Sequence, residues 1–303
     1  MSAADAQTVV DLEGPFDLRA TIGRTAVWGP DPTTRFDGDA VWSAFRTPEG
    51  PAAVRYTQRG PSVRAEAFGP GATHAVAAAA DHLGVNDRTW QLESDDPIVG
   101  PLLHGVRGLR FGKSGRVMER LLAMIIGQKV TSRGASQSWR ELVWRWGERA
   151  PGPREKLWVP PSGERLRALA YYDLHTVGIE RKRADTILFA ARRARRLESL
   201  AALAPGEAHD RLLAFPGIGP WTAGLVVSAV HGDTDALPVG DYHVPNHVAY
   251  ALAGEPRADD ARMLALLEPF RPHRGRVLAA ILRGGPPAPR YGPRLSVRDI
   301  RDA

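Results

Sequence analysis

Residues 212–223 read Leu-Leu-Ala-Phe-Pro-Gly-Ile-Gly-Pro-Trp-Thr-Ala and join two short helical patterns through a turn with two glycines. Gly217 and Gly219 can adopt backbone conformations closed to other residues, and without side chains they let a phosphate approach their N–H groups. Pro220 suits the first turn of the next helix, whose N-terminal dipole would face the same phosphate. We expect Ile218 to point inward. The stretch predicts a phosphate-binding hairpin, although an ordinary link between helices would also fit Gly-x-Gly alone.

The hydrophobic pattern changes along the chain. Before residue 112, apolar side chains recur at every second position, which is typical of strands. The alternating positions are Phe16, Leu18, Ala20 and Ile22, then Val54 and Tyr56, then Val63, Ala65 and Ala67. A helix is expected at about 72–83. After the Gly/Pro-spaced stretch 97–115 the period becomes about 3.6, which is typical of helices.

These patterns predict three parts. Residues 1–112 form an α+β N-terminal domain, a small antiparallel sheet plus helix; residues 113–283 form a mainly α domain; residues 284–303 form a flexible Gly/Pro-rich tail. Within the second part we expect helices at 164–172, 207–214, 220–231, 245–252, 258–268 and 274–283.

The composition limits the chemistry that is open to the chain. Its 303 residues contain no cysteine, which excludes disulfides, thiolate zinc sites, iron–sulfur clusters and a cysteine nucleophile. The net charge of +6 favours a polyanionic partner without proving one. The first residues, MSAADAQTVVDLEG, lack the basic and apolar parts of a signal peptide, and no apolar stretch is long enough to span a bilayer. We therefore expect a cytoplasmic protein.

Further stretches match a known family in the same order as the hairpin. Residues 108–110 read Gly-Leu-Arg, residues 120–128 read Arg-Leu-Leu-Ala-Met-Ile-Ile-Gly-Gln, and residues 174–191 include Gly-Ile and Arg-Lys-Arg-Ala. Together with Phe-Pro-Gly-Ile-Gly-Pro-Trp-Thr-Ala, they resemble the helix-hairpin-helix base-excision DNA glycosylases, most of all the 3-methyladenine DNA glycosylase II family. The resemblance implies a helical domain of two lobes, a helix-hairpin-helix at about 207–231, and a cleft into which damaged bases are flipped.

Asp241 follows the hairpin in the stretch Leu-Pro-Val-Gly-Asp-Tyr-His-Val-Pro-Asn, residues 237–246. By itself it suits a helix N-cap, where a side chain that accepts backbone hydrogen bonds contributes about 1 kcal/mol. The resemblance implies that Asp241 is also the catalytic carboxylate, because the family carries an aspartate at this spacing. Cleavage of an N-glycosidic bond builds positive charge on the sugar, which a nearby carboxylate stabilises. Both roles can hold together.

The residue two positions after the second hairpin glycine bears on the reaction type. Glycosylases that also cut the DNA strand carry a lysine nucleophile there, whereas this chain has Trp221. We therefore expect a monofunctional glycosylase without AP lyase activity. Trp221 also favours an alkylated, cationic purine, because an indole face attracts cations by about 0.5–2 kcal/mol. The alternative interpretation, that Trp221 is an ordinary tryptophan of the hydrophobic core, explains the residue nearly as well. For the base pocket we predict Trp221, Tyr242 and Gln128.

The predicted DNA contacts combine the hairpin with basic side chains: they are Gly217, Ile218, Gly219, Thr222, Lys129, Arg181, Lys182 and Arg183. The basic run continues to residue 196, and such a run is as often a solvated helix face. Lys129 departs from the family, which places an apolar wedge directly after Gly-Gln to fill the gap left by the flipped base. Residues 279–283, Ala-Ala-Ile-Leu-Arg, lack an aromatic that relatives often place in the last long helix. Base preference can differ accordingly.

No cofactor is required for this chemistry and no metal site is expected. The resemblance alone implies a monovalent cation, Na⁺ or K⁺, at the hairpin carbonyls of Phe215 and Ile218. The expected partner is double-stranded DNA with damaged bases, bound by a nucleoid-associated monomer. Two alternatives stay open: a non-catalytic helix-hairpin-helix protein that binds damaged or bent DNA, and an interaction protein unrelated to DNA.

Overall fold

The computed structural model describes residues 3–289, and its N-terminal part is an antiparallel sheet of five strands in the order β1-β5-β4-β3-β2. The strands are β1 (Ala6–Asp11), β2 (Thr34–Asp37), β3 (Ala40–Thr47), β4 (Gly50–Arg59) and β5 (Ser62–Phe68). Val54 pairs with Ala67 and Tyr56 with Ala65, and all four side chains are buried. The alternation in β4 and β5 therefore marks the buried face, and the predicted small antiparallel sheet is confirmed.

The predicted helix at about 72–83 forms as two short helices, α2 (Ala72–Ala77) and α3 (Ala79–His82). Their alanines pack on the buried face of the sheet.

The stretch 16–22, in which the alternation predicts a strand, instead contains the start of a helix. α1 spans Leu18–Gly23, and the Asp17 side chain caps it by accepting a hydrogen bond from the Ala20 N–H at 2.8 Å. Leu18 and Ile22 are both buried, four positions apart on one helix face. In six residues a period of 2 and a period of 3.6 produce nearly the same apolar positions, so the pattern alone does not distinguish a strand from a helix, and the Asp17 cap favours the helix.

Helices form most of the remaining chain. They are α4 (Val99–Gly105), α5 (Val117–Ile126), α6 (Ser132–Trp146), α7 (Gly163–Arg167), α8 (Tyr171–His175), α9 (Arg181–Ala191), α10 (Ala194–Glu198), α11 (Pro205–Leu213), α12 (Pro220–His231), α13 (Val244–Ala253), α14 (Asp260–Leu267) and α15 (Arg274–Gly284). A short sheet of β6 (Glu148–Arg149) and β7 (Trp158–Val159) lies between α6 and α7. The predicted helix 164–172 divides into α7 and α8.

Two apolar clusters lie among these helices. The larger surrounds α5, α6, α9 and α12, with Leu121 and Trp139 completely buried. The smaller joins α4 to α13, α14 and α15 through residues that include Leu103, Val248 and Val277. α4 thus precedes residue 112 in the chain but packs on its last helices. The domain boundary at 112 stays a prediction.

The loop between α1 and β2 connects the sheet to the helices. Asp31 is buried in it and accepts hydrogen bonds from the Val27 N–H at 2.9 Å and from the indole N–H of Trp139, on α6, at 3.0 Å. The same loop carries Trp28 to the larger helical cluster.

α15 ends at Gly284, where the predicted tail 284–303 begins, and residues 290–303 of that tail lie outside the described residues. Within residues 3–289, the helices are all too short or too polar to cross a membrane.

Candidate active site

The hairpin between α11 and α12 exposes its backbone at the tip. Gly217 has a φ of +82°, which L side chains rarely adopt, and a Cβ there would clash with Thr186 on α9. Ile218 is buried, as predicted. Gly219 is extended, with a φ of −103°, and apart from the adjacent residues no atom of residues 3–289 lies within 4 Å of where its Cβ would be. The space beside Gly219 is therefore open at the N-terminus of α12, which begins at Pro220.

Gln128 supports the hairpin from the end of α5. Its Nε2 donates hydrogen bonds to the Gly217 carbonyl and to Thr222 Oγ1, both at 2.9 Å. The Thr222 side chain is only 1% exposed, so its hydroxyl is not available for the predicted DNA contact. Gln128, predicted for the base pocket, thus uses its amide nitrogen to hold the hairpin, and its contact with a base stays a prediction.

Both carboxylate oxygens of Asp241 accept hydrogen bonds. Oδ1 accepts from the N–H groups of His243 at 2.8 Å and Val244 at 3.0 Å, so the side chain caps α13. Oδ2 accepts from the indole Nε1 of Trp221 at 2.8 Å. The residue is half-buried, and each of its oxygens has more than one lone-pair site. The Asp241 side chain thus satisfies two N–H groups at the start of α13 as an N-cap side chain would, although His243 occupies the N-cap position itself, and the carboxylate is held in one orientation.

Two indole rings lie close to Gly127, at the end of α5. A Cβ added to Gly127 would overlap the ring of Trp28 and would lie 3.3 Å from Cη2 of Trp221. Because the N–H of Trp221 reaches Asp241, this ring spans the distance from α5 to the start of α13. Trp28 is absent from the predicted site residues, since no local pattern connects residue 28 with residue 221. The available signal was a tryptophan within Trp-Gly-Pro-Asp-Pro, residues 28–32.

Two predicted site residues project from the surface. Lys129 is exposed in the turn after α5 and has a φ of 55°, which is uncommon for a residue other than glycine. Tyr242 is 82% exposed and lies edge-on against His243, with 4.9 Å between ring centroids. Tyr242 therefore lines no enclosed wall in this conformation, and a contact with a flipped base stays a prediction.

The basic run 180–196 does not form one surface. Arg183 is 4% exposed and donates hydrogen bonds to the carbonyls of Ile126 at 2.6 Å and Gly178 at 3.3 Å, and burial lowers its pKa. Its predicted DNA contact is wrong for this structure, because the guanidinium joins α9 to the end of α5. Arg181 pairs with Asp185 at 3.2 Å, and Lys182 is exposed beside it. The exposed residues at the other end of α9 are Arg192, Arg193, Arg195 and Arg196.

Within residues 3–289, no three His, Asp or Glu side chains are grouped so that they could hold a metal ion. The Phe215 carbonyl accepts a hydrogen bond from the Ile218 N–H at 3.1 Å and keeps a second lone pair. A monovalent cation at the carbonyls of Phe215 and Ile218 is compatible with this geometry and stays a prediction.

Comparison of sequences shows one relative of known function. The chain is 26% identical over 162 residues to a DNA-3-methyladenine glycosylase of Bacillus subtilis (strain 168). The match covers 52% of this chain and 54% of that protein, so the chain spans about half the length of this relative. No protein-family model matches the chain.

Solved structures resemble the chain over nearly its whole length. The 3-methyladenine DNA glycosylase from Archaeoglobus fulgidus has a TM-score of 0.73 and 20% identity, covering 90% of this chain and 96% of that one. An 8-oxoguanine glycosylase/lyase from Clostridium acetobutylicum, in complex with double-stranded DNA, has a TM-score of 0.67 and 16% identity, covering 92% and 97%. At these identities the likeness shows the fold. The resemblance that the motifs indicate is confirmed.

Proposed function

We propose that this chain, which has the fold of the helix-hairpin-helix DNA glycosylases, is a monofunctional DNA glycosylase of base excision repair. It hydrolyses the N-glycosidic bond of damaged bases, alkylated purines above all, that are flipped out of duplex DNA. The observation that carries this proposal is the carboxylate of Asp241, which Trp221 and two backbone N–H groups orient beside a hairpin with an open tip at Gly219.

The chemistry needs a fixed negative charge beside the sugar. As the base leaves, positive charge grows on the anomeric carbon, and a carboxylate already held in place stabilises the transition state more than the ground state. At about 4 Å and an effective dielectric constant near 20, two unit charges attract by about 4 kcal/mol, or roughly a thousandfold in rate. The lone pairs that Asp241 keeps can also orient the attacking water.

The absence of a lysine at position 221 supports simple hydrolysis. A strand-cutting glycosylase needs an amine that attacks the sugar, and the residue here is a tryptophan whose N–H is donated to Asp241. Lys129, the residue after Gln128, is exposed. We therefore expect borohydride to trap no covalent complex with DNA. An adduct that disappears in the variant Lys129→Arg would contradict the monofunctional assignment.

The two indoles support alkylated purines as the substrate class. Alkylation at a ring nitrogen makes the purine cationic, and the faces of Trp28 and Trp221 attract cations. The same charge makes the base a better leaving group, so a site without a strong general acid suffices. Trp28 and Trp221 flank Gly127, where the missing side chain leaves room for both rings.

The variant Asp241→Asn tests the function, because asparagine is also a good N-cap and should keep α13 intact. We expect release of 7-methylguanine and 3-methyladenine from alkylated duplex DNA to be abolished, while binding to the same DNA remains. Asp259→Asn is the matched control. Asp259 caps α14 by accepting a hydrogen bond from the Arg262 N–H at 2.9 Å, and its replacement should preserve base release.

The same assay separates the alternatives. Free base released by the wild-type chain but not by Asp241→Asn supports the enzyme. Binding to alkylated DNA without release by either protein would instead identify a non-catalytic helix-hairpin-helix protein. If Asp241→Asn retained full activity, Asp241 would be only an N-cap.

A further inference from the structure

Two phenylalanines connect the hairpin to the far end of α9. Phe215 lies in the hairpin itself, and Phe189 lies on α9, with their rings edge-to-face at 6.3 Å between centroids. Arg193 lies over Phe189 at 3.6 Å, and Arg196 lies near the ring of Phe215 at 5.7 Å. We call these four residues the arginine–phenylalanine stack.

The two guanidinium groups are exposed and have no acidic partner. Within residues 3–289, neither Arg193 nor Arg196 forms an ion pair, and the one side-chain hydrogen bond of Arg193 is a long contact of 3.4 Å to the Phe189 carbonyl. A guanidinium that rests its face on an aromatic ring keeps its N–H edge free and loses little freedom when it binds. That edge matches the geometry of a phosphate, which accepts two parallel N–H bonds.

The arginine–phenylalanine stack lies at the end of α9, the same helix that packs against the hairpin. Gly217 lies against Thr186 of α9, and Phe215 lies against Phe189 one helical turn further along. From Thr186 to Ala191, where α9 ends, the helix rises ~8 Å, and Arg193 follows two residues later. The stack therefore begins about two to three base-pair steps of ~3.4 Å along a duplex from the hairpin.

We propose that Arg193 and Arg196 form a second phosphate-binding element, which holds the backbone of the same DNA duplex about two to three base pairs beyond the phosphate at the hairpin. The proposal rests on the proposed function, since it assumes that the hairpin binds DNA. It adds a length requirement: a duplex that stops at the hairpin cannot reach the stack. The phenylalanine rings orient the guanidinium groups, and the phosphates supply the negative charge that the protein lacks there.

The test is the salt dependence of binding by the double variant Arg193→Gln/Arg196→Gln. The probes are two duplexes with a stable abasic-site analogue, one extending about ten base pairs on both sides of the analogue and one extending about two, which an interstrand cross-link at each terminal base pair keeps double-stranded. Since each phosphate contact contributes about 0.9 to the slope of log affinity against log salt, the double variant should lower the slope by about 1.8 on the long duplex. On the short duplex the slope should equal that of the wild type.

The matched control is Arg149→Gln, because Arg149 is exposed on β6 and also lies over an aromatic ring, that of Trp158, at 5.5 Å. This control should bind both duplexes like the wild type. The double variant Arg193→Lys/Arg196→Lys should keep the slope, since it keeps both charges. An unchanged slope for the glutamine pair, or an equal loss on both duplexes, would overturn the proposal. Base release is measured separately, so a chain that binds through the stack but releases no base would refute the enzyme and leave the stack intact.

Discussion

Asp241 shows how far single residues could be identified from the sequence. Its spacing after the hairpin selected it, and its position before a helix predicted the cap that the structure contains. The hydrogen bond from Trp221 could not be predicted, because it joins residues on separate elements and depends on how α12 packs beside the start of α13. Trp221 also packs on the larger helical cluster, as the core interpretation expects, and its contact with a flipped base stays a prediction.

Trp221→Phe should separate the two roles of this ring. Phenylalanine keeps an aromatic face but loses the donor to Asp241, and a hydrogen bond to a charged group contributes about 1.5–3 kcal/mol. We expect base release to slow by roughly 10- to 100-fold. The loss should be similar for cationic 7-methylguanine and neutral hypoxanthine, measured in single turnovers at saturating enzyme. A loss confined to the cationic base would show that the ring acts only by attracting the substrate. Trp144→Phe, at an exposed tryptophan, is the control.

Polar residues within the motifs were harder to assign. Arg183 and Thr222 were predicted to contact DNA, yet both are buried and bond to neighbouring elements. Arg183 meets a carbonyl at the end of α5, and Thr222 meets Gln128. A sequence gives the donors and acceptors of a side chain but not the distant backbone that satisfies them, so a buried arginine and a DNA-binding arginine look alike.

The hairpin is the element whose two glycines serve different purposes, and variants should distinguish them. Gly217→Ala should destabilise the fold by at least about 1–2 kcal/mol, since an L residue at this positive φ is strained and its Cβ would meet Thr186. Gly219→Ala should leave stability within about 0.5 kcal/mol, because its backbone is extended and the space is open. It should weaken DNA binding, since the methyl group occupies the phosphate approach.

Thermal unfolding and equilibrium binding to duplex DNA measure these two effects separately. Equal losses of stability in both variants would contradict the assignment of Gly217 to the fold and Gly219 to the ligand.

Helices were predictable where the hydrophobic pattern continued over many residues and where residues typical of helix ends stood at its limits. α12 was predicted at its observed bounds, because Pro220 begins it and Gly232 ends it with a φ of +66°. α1 was predicted as a strand, since six residues carry too little periodicity and the deciding interaction is the cap from Asp17. β6 and β7 are two residues each, which is below what any alternation can reveal.

At the scale of the whole molecule, His82 joins the sheet to the start of α5. Arg116 Nη1 lies 2.9 Å from His82 Nε2, which therefore accepts, and the protonated Nδ1 donates to the Tyr56 hydroxyl at 3.0 Å. Burial, and then the charge of Arg116, lower the pKa of His82 to about 3. Between pH 6.5 and about pH 3, the ring is therefore neutral in the folded protein but protonated in most of the unfolded chain.

Acid should therefore weaken the fold through His82. Above pH 6.5 the ring is neutral in both states and its contribution is constant; as the pH falls below 6.5, the unfolded chain binds a proton that the folded chain does not. The free energy of unfolding should then fall by about 1.4 kcal/mol per pH unit until the pH nears the folded pKa.

Denaturant unfolding at several pH values measures this dependence as the difference between wild type and His82→Gln. The difference between the two proteins is needed because burial raises the pKa of Glu119. That shift makes the free energy of unfolding rise as the pH falls, which opposes the effect of His82. His104→Gln, at an exposed histidine, should show the wild-type dependence. A difference that does not change between pH 6.5 and 4 would refute the role of His82.

The loop that carries Trp28 and Asp31 makes the two halves of the molecule interdependent. Asp31 accepts the indole N–H of Trp139 in the helical core, and three residues earlier Trp28 reaches the site at Gly127. Under the proposed function, grafting the sheet and this loop of a known DNA glycosylase onto these helices would consequently replace Trp28 while Asp241 stayed in place. Such chimeras should inherit their rate from the helices and their range of lesions partly from the donor of the sheet.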